Sequence, residues 1–257
     1  MKQLGYLAVL ALAMATGEPL LADAGQPVCA DWPAYRRDNQ RSGVAVDKIE
    51  FPMELAWSHE SAHAPSPGWP EPARKDYWHH LNKIEPTIVY DRAYHTIIAG
   101  QKLYYGSSSD SSVRCLDAGT GKEEWSFITG GPIRLAPVYF EGRVYAGSDD
   151  GKVYCLDASQ GELIWTFNAA GGEHYLPGNG AIISRLPIRC GLVVEEGNVY
   201  FTAGVFPSHG VSLFAVNAET GEQVLEQGLD YAALGYLQTT DSTLIIPSGR
   251  SGTCLYD

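Results

Sequence analysis

Two segments of the chain match at an offset of 40 residues: Cys115-Leu-Asp-Ala-Gly-Thr-Gly-Lys-Glu-Glu-Trp125 and Cys155-Leu-Asp-Ala-Ser-Gln-Gly-Glu-Leu-Ile-Trp165. A third copy, Ala215-Val-Asn-Ala-Glu-Thr-Gly-Glu-Gln-Val-Leu225, follows after 60 residues, and Leu255-Tyr-Asp257 begins a fourth after a further 40. The flanking stretches repeat as well, Glu141-Gly-Arg-Val-Tyr145 matching Glu196-Gly-Asn-Val-Tyr200, and each leads into a short run of β-branched and aromatic residues. Each unit therefore reads as several short strands joined by tight turns.

A unit of this size makes one small sheet and cannot bury both of its faces alone. Successive sheets must stack face to face, and radial stacking of four-stranded antiparallel blades gives an all-β propeller. A β-sandwich also has regularly spaced strands, but it would not repeat Asp-Ala-x-x-Gly and Trp at a fixed 40. The blades are expected at roughly 85–128, 129–168, 169–228 and 229–257, within a propeller region of 53–257 that carries a long loop at 58–84.

Within the motif, Asp117 and Gly121 bracket a tight connection, as do Asp157 and Gly161, and Asn217 and Gly221. A carboxylate or amide can bond its own downstream backbone, and glycine takes the positive φ that closes the turn. A small residue first (Cys115, Cys155, Ala215), an aspartate third, a glycine seventh and a tryptophan eleventh (Trp125, Trp165) resemble the tryptophan-docking motif of the PQQ-like, or quinoprotein-alcohol-dehydrogenase-like, propeller repeat. The resemblance implies that each tryptophan stacks between the first and seventh positions of the neighbouring blade, which makes Cys115, Cys155 and Ala215 small packing residues. Leu225 departs from the pattern and implies a weaker clasp.

The opening Asp31-Trp-Pro-Ala-Tyr-Arg-Arg-Asp-Asn-Gln-Arg-Ser-Gly43 and Leu55-Ala-Trp57 resemble the start of exported, planctomycete-type members of the class, with Trp57 at an eleventh position. Members of the class usually close with seven or eight blades. The sequence therefore reads as an N-terminal fragment, a partial, open propeller of about four blades.

Lys2, the apolar run Leu4 to Met14 and the small residues of Ala22-Asp-Ala24 read as a signal peptide over 1–24. The run is too short to cross a bilayer, and Gln26-Pro-Val28 ahead of Cys29 does not form a lipoprotein cleavage site. A periplasmic or secreted protein without membrane insertion is expected, starting with an extended segment over 25–52. The formal charge of −12 argues against a nucleic-acid partner. The five cysteines, Cys29, Cys115, Cys155, Cys190 and Cys254, show neither disulfide-framework nor zinc-site spacing.

Two features outside the repeat point to function. Pro132-Ile-Arg134 and Pro187-Ile-Arg189 fall at equivalent inner-strand positions, which places two arginines near the central channel. Arg134 and Arg189 either form an electropositive mouth for a carboxylate, sulfate or acidic glycan, or pair with neighbouring acids and brace the blades. The second is favoured because arginine is seldom buried unpaired. The loop 58–84, rich in proline and aromatic residues and carrying His79-His80, either binds a ligand or is pinned flat over a blade.

No adjacent cysteines, H-E-x-x-H, G-x-S-x-G or phosphate-cradling loop is present, and Asp149-Asp150 reads as a turn between strands. The expectation is a binding or scaffolding module without a catalytic, metal or cofactor site, whose partner is a protein, a peptide or an anionic small ligand. The resemblance implies an alternative, a PQQ-dependent oxidoreductase using the quinone with calcium, whose cofactor residues lie outside this sequence. It also includes a lipoprotein subunit of the outer-membrane β-barrel assembly machine that binds partner peptides.

Overall fold

The structure, a computed structural model, describes residues 6–7, 31–70, 75, 77–83, 91, 93–178, 181–248 and 252–256. Apart from Tyr6–Leu7, the expected leader lies outside the described residues, as do Cys29, Pro72 and Asp257.

Three four-stranded antiparallel meanders follow one another in the chain. Blade one is Thr96–Ala99, Lys102–Ser107, Ser112–Asp117 and Glu123–Ile128; blade two is Val138–Phe140, Arg143–Gly147, Lys152–Asp157 and Leu163–Asn168. Blade three is Val193–Glu195, Asn198–Ala203, Ser212–Asn217 and Gln223–Gly228. A fourth sheet has three strands, Gln238–Thr239, Leu244–Ile246 and Cys254–Tyr256, and among the described residues the sheets do not close into a ring.

The stacking shows in the burial of the strands. The middle strands Arg143–Gly147 and Lys152–Asp157 are buried on consecutive residues, because both faces of blade two are covered by neighbouring sheets. The last strand of blade three, Gln223–Gly228, is exposed throughout. Gly106 and Gly147 close each second strand, and a Cβ there would stand 2.1 and 2.5 Å from Ile133 and Ile188. The Pro-Ile-Arg segments lie across these glycines, with the Ile133 amide donating to the Ser107 carbonyl and Ile188 to Ser148. They are extended connections ahead of the innermost strands and not, as the alignment had suggested, strands themselves.

Each last strand carries a register shift one residue before the eleventh motif position, at Glu124, Ile164 and Val224. Such a bulge re-aims the following side chain toward the next blade. Trp125 Nε1 donates to the Ala158 carbonyl of blade two (3.2 Å), Trp165 to Ala218 of blade three (3.2 Å) and Trp57 to Ala118 of blade one (2.9 Å). The turn glycines lie directly beneath the indoles: a Cβ on Gly121, Gly161 or Gly221 would fall 2.4 to 2.7 Å from Trp57, Trp125 or Trp165. Their φ values, +70, +73 and +75°, belong to glycine for a second reason. Leu225, by contrast, is 38% exposed.

The Asp117 carboxylate accepts from the Thr120 amide (2.7 Å) and hydroxyl (2.6 Å), Asp157 from Ser159 and Gln160, and the Asn217 amide oxygen from Glu219 and Thr220. Cys115, Cys155 and Ala215 are buried opposite the tryptophans and Leu225 of their own blades. Burial pushes both thiols up to about 12, so they remain protonated packing groups.

The extended N-terminal segment is a strap across the inner strands. Trp32 bridges Ile98 of blade one, the Pro33 carbonyl accepts from Tyr139 of blade two, and Asn39 donates to Val194 of blade three and accepts from Thr239 of the fourth sheet. Arg41, 5% exposed, locks the strap: its guanidinium donates to the carbonyls of Leu192, Leu237, Tyr35 and Asp38, and lies 5.6 Å from the centre of the Tyr236 ring. Burial pulls its pKa down to about 10, still charged at neutral pH.

Two intervals differ from the sequence reading. The interval 169–228 holds a separate hairpin, Tyr175–Gly178 with Ala181–Ser184, before blade three begins at Val193, and this together with a longer connection between Ala203 and Ser212 accounts for the 60-residue spacing. The excursion 58–84, expected to be irregular, contains a two-residue strand, His59–Glu60, and a short helix, Tyr77–Asn82.

Candidate functional site

The equivalence of the two Pro-Ile-Arg segments brings Arg134 and Arg189 to one carboxylate. Asp149, in the turn Ser148-Asp-Asp-Gly151 of blade two, is 0% exposed. Its Oδ2 accepts from Arg134 Nε (2.7 Å) and Arg189 Nη2 (2.9 Å), and its Oδ1 from Arg189 Nε (2.8 Å). Arg134 also donates through Nη1 to Asp91 Oδ2 (3.0 Å) and to the Ser66 carbonyl (2.8 Å). Two guanidinium groups, each with a side chain 9% exposed, are thus matched by two carboxylates. The arginines brace consecutive blades through a shared buried acid.

The excursion closes over this cluster. The Ser66 amide donates to Ser108 Oγ (2.9 Å) and the Gly68 amide to Asp91 Oδ2 (2.7 Å). Trp69 lies against Arg189, with Cζ 5.1 Å from the ring centroid. His79 and His80 sit on the short helix and line neither recess. Among the described residues no three His, Cys, Asp or Glu side chains group to hold a metal ion.

Two recesses flank Trp69. One, of about 230 Å³, is bounded by Gly68, Trp69, Asp91, His95, Arg134 and Gly235. The other, of about 260 Å³, lies between Trp69, the hairpin residues Leu176, Pro177 and Ile183, and Phe206 and His209 of the Gly204–Gly210 connection. Phe206 meets Trp69 edge-on at 5.9 Å. The excursion, the inserted hairpin and this connection are additions to the 40-residue unit, and they converge here.

Beneath the smaller recess, Tyr35, Tyr236 and His95 stack, with the two tyrosine centroids 3.7 Å apart. His95 Nδ1 hydrogen-bonds the Tyr236 hydroxyl. Burial lowers the His95 pKa, outweighing the attraction of Asp91. A histidine held neutral in the fold contributes stability that is complete above about pH 6.5 and is lost as pH falls, because the unfolded chain then binds the extra proton. Unfolding free energy measured by denaturant between pH 7 and 5 is expected to fall on acidification, and less steeply in His95→Gln.

The family described as outer membrane protein assembly factor BamB matches residues 109–177, which span the repeat motifs of blades one and two. The quinohemoprotein alcohol dehydrogenase of Comamonas testosteroni superposes over 85% of this chain and 35% of its own, with a TM-score of 0.60 and 17% identity. The family match is confined to residues 109–177, and the superposition shows a β-propeller fold for the chain. BamB from Moraxella catarrhalis aligns over 62% of this chain and 43% of its own, with 17% identity and a TM-score of 0.48. The chain thus spans less than half the length of either protein. No curated protein matches it.

The fold family raises the question of a quinone with calcium. Both oxygens of Asp149 are taken by guanidinium groups, and Asp150 is engaged by the Lys152 amide and the Tyr154 hydroxyl. A quinone carboxylate would have to displace Asp149 or Asp91 from the arginines. This cluster does not fit the pair.

Sequence reasoning missed Asp149 as the shared partner, because an Asp-Asp-Gly turn resembles any other. It also missed Asp91 and the Tyr35–Tyr236–His95 stack, while Trp69 was legible only as one of the aromatic residues of the loop 58–84. A signal was present in the 60-residue spacing, where the added residues marked the side of the propeller on which the site is built.

Proposed function

We propose that this propeller is an extracytoplasmic binding or scaffolding module that contacts its ligand at the mouth around Trp69, with Arg134 and Arg189 setting the floor. One observation carries the reading: the three segments that the repeat does not require meet at that mouth. A scaffold alone needs the docking turns and the stacked blades. Chain added beyond them and gathered at one place is what loop-built recognition on a rigid frame requires. The leader-like N-terminus supports export to the periplasm or the medium, and no described helix is long and apolar enough to cross a membrane.

No cofactor is part of this reading. Mixing the protein with pyrroloquinoline quinone and calcium, and following dye reduction with alcohols and sugars, is expected to give no turnover above the protein-free rate. Substrate-dependent reduction would favour a dehydrogenase instead.

A further inference from the structure

The larger recess differs from its surroundings in charge. The chain carries 30 acidic residues against 18 lysines and arginines, yet no aspartate or glutamate lines this recess, whereas Arg185, Arg189 and His209 do. Arg189 is committed to Asp149 and Trp69. Arg185 is different. Its backbone amide is fixed by the His174 carbonyl (2.7 Å), while its exposed guanidinium has no acidic partner among the described residues. Apart from Ser184, the remaining walls, including Leu176, Pro177, Ile183, Val205, Phe206 and Trp69, are apolar or aromatic.

A guanidinium at the rim of an apolar, aromatic-walled space of about 260 Å³ selects for one charged oxygen pair on a small apolar body. We propose that this recess binds a compact organic carboxylate bearing a single ring, with the ring between Trp69, Phe206 and the hairpin residues Leu176, Pro177 and Ile183, and the carboxylate on Arg185. The smaller recess does not suit that ligand, because Asp91 lines it beside Arg134. The inference rests on the mouth being the binding site and adds the class of ligand.

The test uses benzoate, benzyl alcohol and benzylamine as probes, with amide-shift titrations on the whole protein. Benzoate is expected to bind about tenfold or more tightly than either of the others, which is about 1.4 kcal/mol at 25 °C. Arg185→Gln is expected to remove that preference without changing the melting temperature, and Trp69→Leu to weaken all ring probes. Equal binding of benzyl alcohol or benzylamine would overturn the carboxylate assignment and leave the mouth as a binding site. Failure of all three to saturate shifts at the recess by about 10 mM would overturn the ligand class, whereas the mouth as a binding site fails only if removing the hairpin leaves every ligand response of the protein unchanged.

Discussion

Trp125→Ala is expected to destabilise the protein by about 3–5 kcal/mol and to lower its melting temperature by roughly 10 °C. The indole is 9% exposed, packs over Gly161 and donates to the Ala158 carbonyl, so truncation opens a cavity at the junction of two blades and removes a hydrogen bond across it. Trp165→Ala acts on the next junction in the same way. Its effect is expected to be somewhat smaller because Trp165 is only partly buried. Leu225→Ala, at the equivalent position of blade three, is expected to cost little, because Leu225 is 38% exposed. Thermal melts of the three variants check the order, and equal losses in all three would refute the clasp.

Asp149→Asn carries the second large effect, about 3–5 kcal/mol, the range for removing one partner from a buried charge cluster. The carboxylate faces two guanidinium groups with no exposure of its own, and the substitution leaves Arg189 without an anion while Arg134 retains Asp91. Asn keeps the shape and a single accepting oxygen, so the loss measures charge and not volume. Combining Asp149→Asn with Arg189→Met is expected to recover part of the stability, because the stranded cation is then gone. Chemical denaturation of the single and double variants measures the coupling, and additive losses would show that the cluster does not act as a unit.

Much of the fold was legible because a propeller repeats its own constraints. The glycine at the seventh position, the aspartate at the third and the tryptophan at the eleventh each answer to local geometry, and local geometry is written in a few adjacent residues. The bulges at Glu124, Ile164 and Val224 were not legible, since a register shift leaves no compositional trace in an exposed strand. Arg134 and Arg189 could be aligned with each other, but their shared partner could not, because Asp149 reaches them only once blade two is folded. The strap was the least visible: Arg41 is bound by carbonyls, and any sequence supplies carbonyls.

The division of labour between repeat and additions is the central claim, and removing the hairpin tests it most directly. Tyr175 pairs with Ser184 across the hairpin, so replacing 176–183 by Asn-Gly closes the strands with a two-residue turn and leaves both ends in place. The variant is expected to melt within about 3 °C of the parent, a shift of about 1 kcal/mol or less, while losing its response to benzoate. A melting loss as large as that of Trp125→Ala, or benzoate binding unchanged in the shortened protein, would contradict the account.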